Sequence, residues 1–243
     1  QMSKLRKIIR EQVRQVLNEI DGLNYDLQNW YDHWNSKLFG GELDPIRLRY
    51  SDMKQLGKTK AYTRGKRGRV REVESIEWLA ISKMYDMPEE VFHATLIHEM
   101  IHVYMLQNHE QFTWEGGYHG SEFKKLAKEK SRESGYDVAV RHDLYQDELQ
   151  VRGKGKDTVV TVVYDRGEPQ AWGLQPSAWT EENKEIVHDF VERYRDWEII
   201  RTSSPAVKQI TRSRKVPRRL KFTPLSDSVI ERFRQSGEVI ASS

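Results

Sequence analysis

The pentapeptide HEMIH, His98 to His102, sets two imidazoles four residues apart with a carboxylate between them. On a helix, side chains at i and i+4 share one face about 5–6 Å apart, so both rings can reach a single cation. Glu99 follows the first ring by one residue and is near enough to work on a water held at that ion. A divalent metal beside a general base is hydrolytic machinery, provided a third side chain completes the ligand set and a fourth position stays open.

The third ligand must come from downstream, where His109, Glu115, His119 and Glu122 have suitable chemistry. A closely spaced third histidine of the HExxHxxGxxH kind needs glycine at 105 and histidine at 108; Met105 and Asn108 exclude it. His109 is expected to be a solvated residue past the helix end. His119 follows Gly116 and Gly117, which let the chain turn back, and precedes SEFKKLAKEKSRES, a second helix stopped by Gly135. A ring at that N-terminus can point at the first helix. Glu122 is the rival ligand, or else a first-turn charge complementing the helix dipole. His142 is expected at the surface, since three ligands are already at hand.

The elements around these residues follow from periodicity. Pro88, Glu89 and Glu90 suit a first helical turn, and Val91, Phe92, Thr95, Leu96, Met100, Val103, Tyr104 and Leu106 repeat at helical spacing, so HEMIH sits on a helix with a buried face. Upstream, a helix from about 24 to 38 places Leu27, Trp30, Tyr31, Trp34 and Leu38 in one stripe, ended by Gly40 and Gly41. IRLRYS after Pro45 and the stretch Ile76 to Ser82 alternate as strands, and Gly57 to Arg71 between them reads as an exposed loop or long hairpin. Tyr136 to Val140 reads as a short strand.

The combination HEMIH, a glycine-bearing loop and HGSEF resembles the SprT-like (Spartan-type) zinc metalloproteases, whose pattern is HExxH, a variable loop and HGxxF. Asn35, Phe39, Gly41 and Leu43 resemble that family's opening helix and turn, Gly57 its next loop, SIEWLAIS its strand before the active-site helix, and GYDVAVRHD the end of the likeness, which covers roughly 24 to 145. The resemblance implies an α+β, zincin-like core and one Zn2+ held by His98, His102 and His119 with Glu99 as general base. It also implies cleavage of proteins associated with or crosslinked to DNA, and a strand before the active-site helix that binds extended substrate at the sheet edge. Tyr118 and Tyr104 are candidates to assist the oxyanion. The family often continues into a cysteine-ligated zinc ribbon, which a chain without cysteine cannot build.

Residues 3 to 20 read as an amphipathic helix, with Leu5, Ile8, Ile9, Val13, Val16, Leu17 and Ile20 in one stripe. The expected organisation is therefore a helical extension (1–22), able to meet a protein partner, a metalloprotease core (23–149) and a divergent C-terminal region (150–243). In that last region TVVTVVY and EPQAWGLQ read as a hairpin. Thr180 caps a helix with Ile186, Phe190, Val191 and Tyr194 on its buried face, WEIIR is a strand, and a last helix runs from Ser226 to Ser236 before Gly237.

Charge is segregated although the net value is only +3. Lys54 to Arg71 holds Lys58, Lys60, Arg64, Lys66, Arg67 and Arg69 without an acid; Arg201 to Lys221 holds Lys208, Arg212, Arg214, Lys215, Arg218 and Arg219, also without one. Such blocks are the footprint of a polyanion, so Lys58 to Arg71 and Arg212 to Arg219 are the expected DNA contacts. No apolar run approaches the ~20 residues of a membrane span, and the start KLRKIIREQVR does not resemble a signal peptide, so no membrane partner and a cytoplasmic location are expected. The competing reading is a DNA-binding or assembly module with a structural zinc.

Overall fold

The computed structural model describes residues 25–64, 71–108, 111–112, 119–138 and 149–243. The stretch at 3–20, residues 65–70 with Lys66, Arg67 and Arg69, and His109, Glu115, Tyr118 and His142 lie outside the described residues. The chain divides into two compact units, one within 1–83 and 87–142 and the other within 84–86 and 143–243. Five helices and two mixed sheets among the described residues make the fold α+β.

In the first unit, α1 (Leu27–Phe39) starts where Asp26 accepts hydrogen bonds from the backbone N–H groups of Gln28 and Asn29, and ends at Gly40 in the left-handed conformation. Asn35 clamps the turn that follows: its Nδ2 donates to the Leu43 carbonyl and its Oδ1 accepts from the Leu43 N–H, both at 3.0 Å. The first sheet has β1 (Arg47–Ser51) parallel to β3 (Arg71–Ser82), and β3 antiparallel to β2 (Gly57–Arg64), in the order β1-β3-β2. The stretch expected as a loop or long hairpin is thus two long arms, and β3 begins five residues before Ile76.

The next helix, α2 (Glu89–Asn108), has buried residues on most of its circumference, including His93, His98 and Glu99 beside Leu96, Ile97, Met100 and Val103. An almost wholly buried helix is a core element, so polar side chains on it need partners or a ligand. A two-residue strand, β4 (Gln111–Phe112), pairs with the start of β3. Helix α3 (Ser121–Ser134) stops at Gly135, which takes the left-handed conformation that favours glycine. The described part of the expected strand at 136–140, residues 136–138, is irregular rather than extended in a ladder.

The second unit is a six-stranded sheet in the order β10 (Gly237–Ser242), β7 (Trp197–Thr202), β5 (Thr158–Asp165), β6 (Glu168–Leu174) and β8 (Arg212–Ser213), with β9 (Thr223–Pro224) also on β6. Its centre is β5, buried without interruption from Thr158 to Val163 with both faces covered. It turns into β6 (Glu168–Leu174) through Arg166 and Gly167, both at positive φ as a two-residue type I′ turn requires. The helix after Thr180, α4 (Glu181–Val191), covers Val159, Val163 and Ile199 on one face, the last from β7 (Trp197–Thr202). The short strands β8 (Arg212–Ser213) and β9 (Thr223–Pro224) flank β6, and α5 (Asp227–Gln235) covers Val160, Val162 and Ile200 on the opposite face.

Two expectations need correction in this unit. The buried pair on α4 is Val187 and Val191, while Ile186 is exposed; Phe190 and Tyr194 lie at the edge of the cluster, Tyr194 beyond the end of the helix at Val191. Gly237 does not simply stop the last helix: it opens β10 (Gly237–Ser242), and a Cβ there would lie 2.5 Å from the Arg201 carbonyl oxygen. Among the described residues, no helix is long and apolar enough to cross a membrane.

Candidate metal centre

His98 and His102 project from successive turns of α2, and His119 comes from the two residues that lead into α3. Their Nε2 atoms form a nearly equilateral triangle: 3.2 Å between His98 and His102, 3.1 Å between His102 and His119, and 3.1 Å between His119 and His98. A ring nitrogen carries at most one proton, so three converging Nε2 atoms cannot all satisfy one another by hydrogen bonds. A cation satisfies all three lone pairs together. Nitrogens bound at ~2.0–2.1 Å to one tetrahedral zinc stand about 3.3–3.4 Å apart, and the observed triangle is within a few tenths of an ångström of that. These three are the only His, Asp or Glu group of metal-binding geometry among the described residues.

Phe123 supports the triangle. Its ring is fully buried and its centroid lies 4.7, 4.6 and 4.7 Å from those of His98, His102 and His119. The side chain four residues after the third histidine is therefore an apolar wall common to all three rings, which excludes water from one side of the site. Glu122, the rival ligand, is exposed in the first turn of α3 and does not join the triangle.

Glu99 lies on α2 beside the first imidazole, 3% exposed. Burial pushes its carboxyl up to about 7, against the opposing effects of the Thr59 hydroxyl, the Thr59 backbone N–H and the Lys58 charge. A carboxyl tuned close to neutrality is suited to exchange protons with water and with an amine. Thr59 Oγ1 is 2.8 Å from Glu99 Oε2 and 3.1 Å from the Glu99 carbonyl oxygen. One step back along β2, a Cβ on Gly57 would meet Glu99 Cγ at 2.6 Å, Oε1 at 2.7 Å and Thr95 Cγ2 at 2.9 Å, so only glycine lets the strand pass this close.

The strand lying against the carboxylate is β2, and this alters the expected substrate edge. β3, the strand before α2, is enclosed between β1 and β2 along residues 78–81, the part nearest Thr59 and Gly57. β2 pairs with β3 alone among the described residues, so the edge beside Glu99 belongs to β2. Sequence reading missed Thr59 because 57–71 looked like a loop. The signal was present as the alternation of Gly57, Thr59 and Ala61 with Lys58, Lys60 and Tyr62, which puts small residues on one face and long ones on the other. Tyr104 is half-buried with its ring 5.7 Å from that of Phe39.

The residues expected to meet nucleic acid separate into groups. Lys58 and Lys60 are exposed on β2; Arg64 and Arg71 end their strands, and their side chains are outside the described residues. Arg212 is taken up by the fold, donating to Thr158 Oγ1 and to the Asp157 carbonyl, both at 3.1 Å. Arg214, Lys215, Arg218 and Arg219 are exposed on a segment that Val216, Leu220 and Phe222 anchor against the α4 side of the second sheet.

Residues 27–142 match the model of the SprT-like family. No curated protein matches the chain.

Proposed function

Residues 27–142 belong to the SprT-like family, and from that premise we propose that the chain is a zinc-dependent endopeptidase acting on DNA-associated or DNA-crosslinked proteins. The observation that carries the hydrolytic reading is the Nε2 triangle of His98, His102 and His119 beside a buried carboxylate that is hydrogen-bonded from a neighbouring strand. These three histidines would hold one Zn2+, which when bound acidifies a water and polarises a peptide carbonyl.

The chain's own residues supply the rest. Glu99 accepts a proton from the attacking water and delivers it to the nitrogen of the leaving amine, so that the C–N bond breaks with the amine neutral. Thr59 holds the carboxylate in register through that exchange. The edge of β2, which has no strand partner among the described residues, offers backbone donors and acceptors to an extended segment of the substrate, which would add to the sheet beside Glu99. Phe123 shields the rings from the apolar side.

The DNA-associated part of the proposal is supported by the resemblance and by Arg214, Lys215, Arg218 and Arg219, whose exposed charges have no acidic residue among them between Arg201 and Lys221. A cytoplasmic location belongs to the same reading. The test is cleavage of a DNA-bound protein by zinc-loaded wild type and by Glu99→Gln. Glu99→Gln should retain zinc and lose cleavage; full activity in that variant rejects the mechanism. An intact zinc site with no peptidase activity in wild type favours a structural metal in a binding module.

A further inference from the structure

β2 has two faces, and only one of them serves Glu99. Gly57 and Thr59 touch the carboxylate, so Lys58 and Lys60 alternate to the side turned away from α2. The register of the first sheet extends that side into two rows. Lys58 and Arg49 both pair with Ala80, and Lys60 and Arg47 both pair with Trp78; directly paired residues share a face. Four cations therefore surround Ala80 and Trp78, although Arg47 and Arg49 come from a strand in a different stretch of sequence from the basic run.

The chemistry of this face is specific. Arg49 Cζ lies 4.0 Å over the Trp78 ring, and its Nε is buried with no hydrogen-bond partner among the described residues. A guanidinium stacked on an aromatic ring is held in one plane, an arrangement suited to binding oxyanions. Lys60 Nζ stands 5.3 Å from the Tyr62 ring, and Tyr62 is 51% exposed, the most exposed of the large apolar side chains among the described residues. One acid enters the face: Glu77 pairs with Lys60 and also meets the Tyr62 hydroxyl and the Arg49 charge, while Arg47 and Lys58 form no ion pair among the described residues.

We infer that this outer face of the first sheet binds single-stranded nucleic acid, with Arg47 and Arg49 on consecutive phosphates, Lys58 on a further phosphate across β3, and Tyr62 stacking on a base. Cations two residues apart on one strand are about 6.6 Å apart, the scale of one nucleotide step in an extended strand. An exposed tyrosine beside a phosphate-binding row is a stacking platform that unpaired bases use; a duplex keeps its bases stacked inside, and an acidic peptide has no flat partner for the ring. The inference rests on the peptidase reading only for its purpose. Because Lys58 lies between Gly57 and Thr59, a bound strand would be one sheet's thickness from the Glu99 carboxylate.

The test uses the zinc-loaded full chain and a fluorescein-labelled oligothymidylate, followed by anisotropy over a salt series, with an oligouridylate, a DNA duplex and polyglutamate as comparison ligands. Arg47→Gln/Arg49→Gln should weaken oligothymidylate binding at least tenfold and reduce the log–log salt slope by about 1.4, two phosphate contacts at ~0.7 each. Tyr62→Ala should weaken binding about tenfold with the slope unchanged, because a stacking contact releases no counterion. Stronger binding of the oligouridylate keeps the proposal and makes RNA the ligand. The proposal is overturned if these variants bind as wild type does, if only Arg214→Gln/Arg218→Gln loses affinity, or if the duplex or polyglutamate is preferred. Arg47→Gln alone, at an exposed position, gives a variant whose fold is not at risk, and its affinity should already fall. Hydrolysis of a DNA-free peptide, measured in parallel, separates the two readings. Binding without hydrolysis strikes the peptidase and leaves this surface standing, whereas hydrolysis with binding untouched by the variants does the reverse.

Discussion

Thr59 Oγ1 lies 2.8 Å from Glu99 Oε2, joining an edge-strand hydroxyl to a helix carboxylate forty positions later. Glu99 is buried, so this bond does two things: it offsets part of the desolvation of the ionised form, and it fixes which oxygen is free to meet water. Removing it should harm proton transfer more than metal binding. Thr59→Val is expected to keep one zinc per chain by elemental analysis while kcat/KM falls roughly 10- to 100-fold, the effect of losing one hydrogen bond to a charged group. Loss of zinc in this variant would mean that Thr59 supports the ligands instead.

Gly57 makes a second claim on the same contact. A methyl group at this position would meet Glu99 Cγ at 2.6 Å and Thr95 Cγ2 at 2.9 Å, both within the core of α2. Gly57→Ala is therefore expected to destabilise the chain by about 1–3 kcal/mol, the usual range for overpacking, and to lower activity further than that loss explains. Urea unfolding and peptide hydrolysis on the same preparation check both halves.

The third ligand can be assigned by metal content alone. His119 completes the Nε2 triangle, whereas Glu122 is exposed on the following turn. His119→Ala should emerge from dialysis without stoichiometric zinc, and Glu122→Ala should retain it. The opposite pattern would make the carboxylate the ligand.

His93 gives a pH dependence whose sign is fixed by its surroundings. Trp34 Nε1 donates to His93 Nδ1 at 3.1 Å, so the ring is neutral with its proton on Nε2, which faces Glu89 Oε1 at 3.7 Å. Burial lowers its pKa from the ordinary 6.5, with Glu89 opposing. The unfolded chain then binds a proton more readily than the folded one, so stability is full above about pH 6.5 and falls as pH drops below it, by at most about 1.4 kcal/mol per pH unit. His93→Gln, which can still accept from Trp34, should show a shallower loss of unfolding free energy between about pH 7.5 and pH 5.5. Equal slopes would remove His93 from the acid response.

What the sequence disclosed follows from how local each feature is. HEMIH was legible because the ligand spacing is one helical turn, and α1 because the Leu27–Tyr31–Trp34–Leu38 stripe and Gly40 are close in sequence, although the expected start at about 24 precedes Asp26, which caps it. His119 needed the resemblance as well as the glycine bend, since nothing local aims its ring. The Arg47–Arg49 row was not legible, because a parallel β1–β3 pair brings distant residues together and leaves no mark on either strand. The face of α4 was misassigned by one position: Ile186 and Val187 are equally apolar, and only packing against Val159 and Ile199 selects the second. β10 was missed because Gly237 reads as a helix stop, whereas its constraint is the carbonyl of Arg201 on the neighbouring strand.

Thr59 and the margin of β2 that has no strand partner among the described residues belong to one short stretch of backbone, and this has a kinetic corollary. A peptide that docks along β2 would stiffen the very segment that aims the proton acceptor. Recognition and chemistry would then share a single mechanical element, and a poorly seated substrate would find its base slack as well as its carbonyl misplaced.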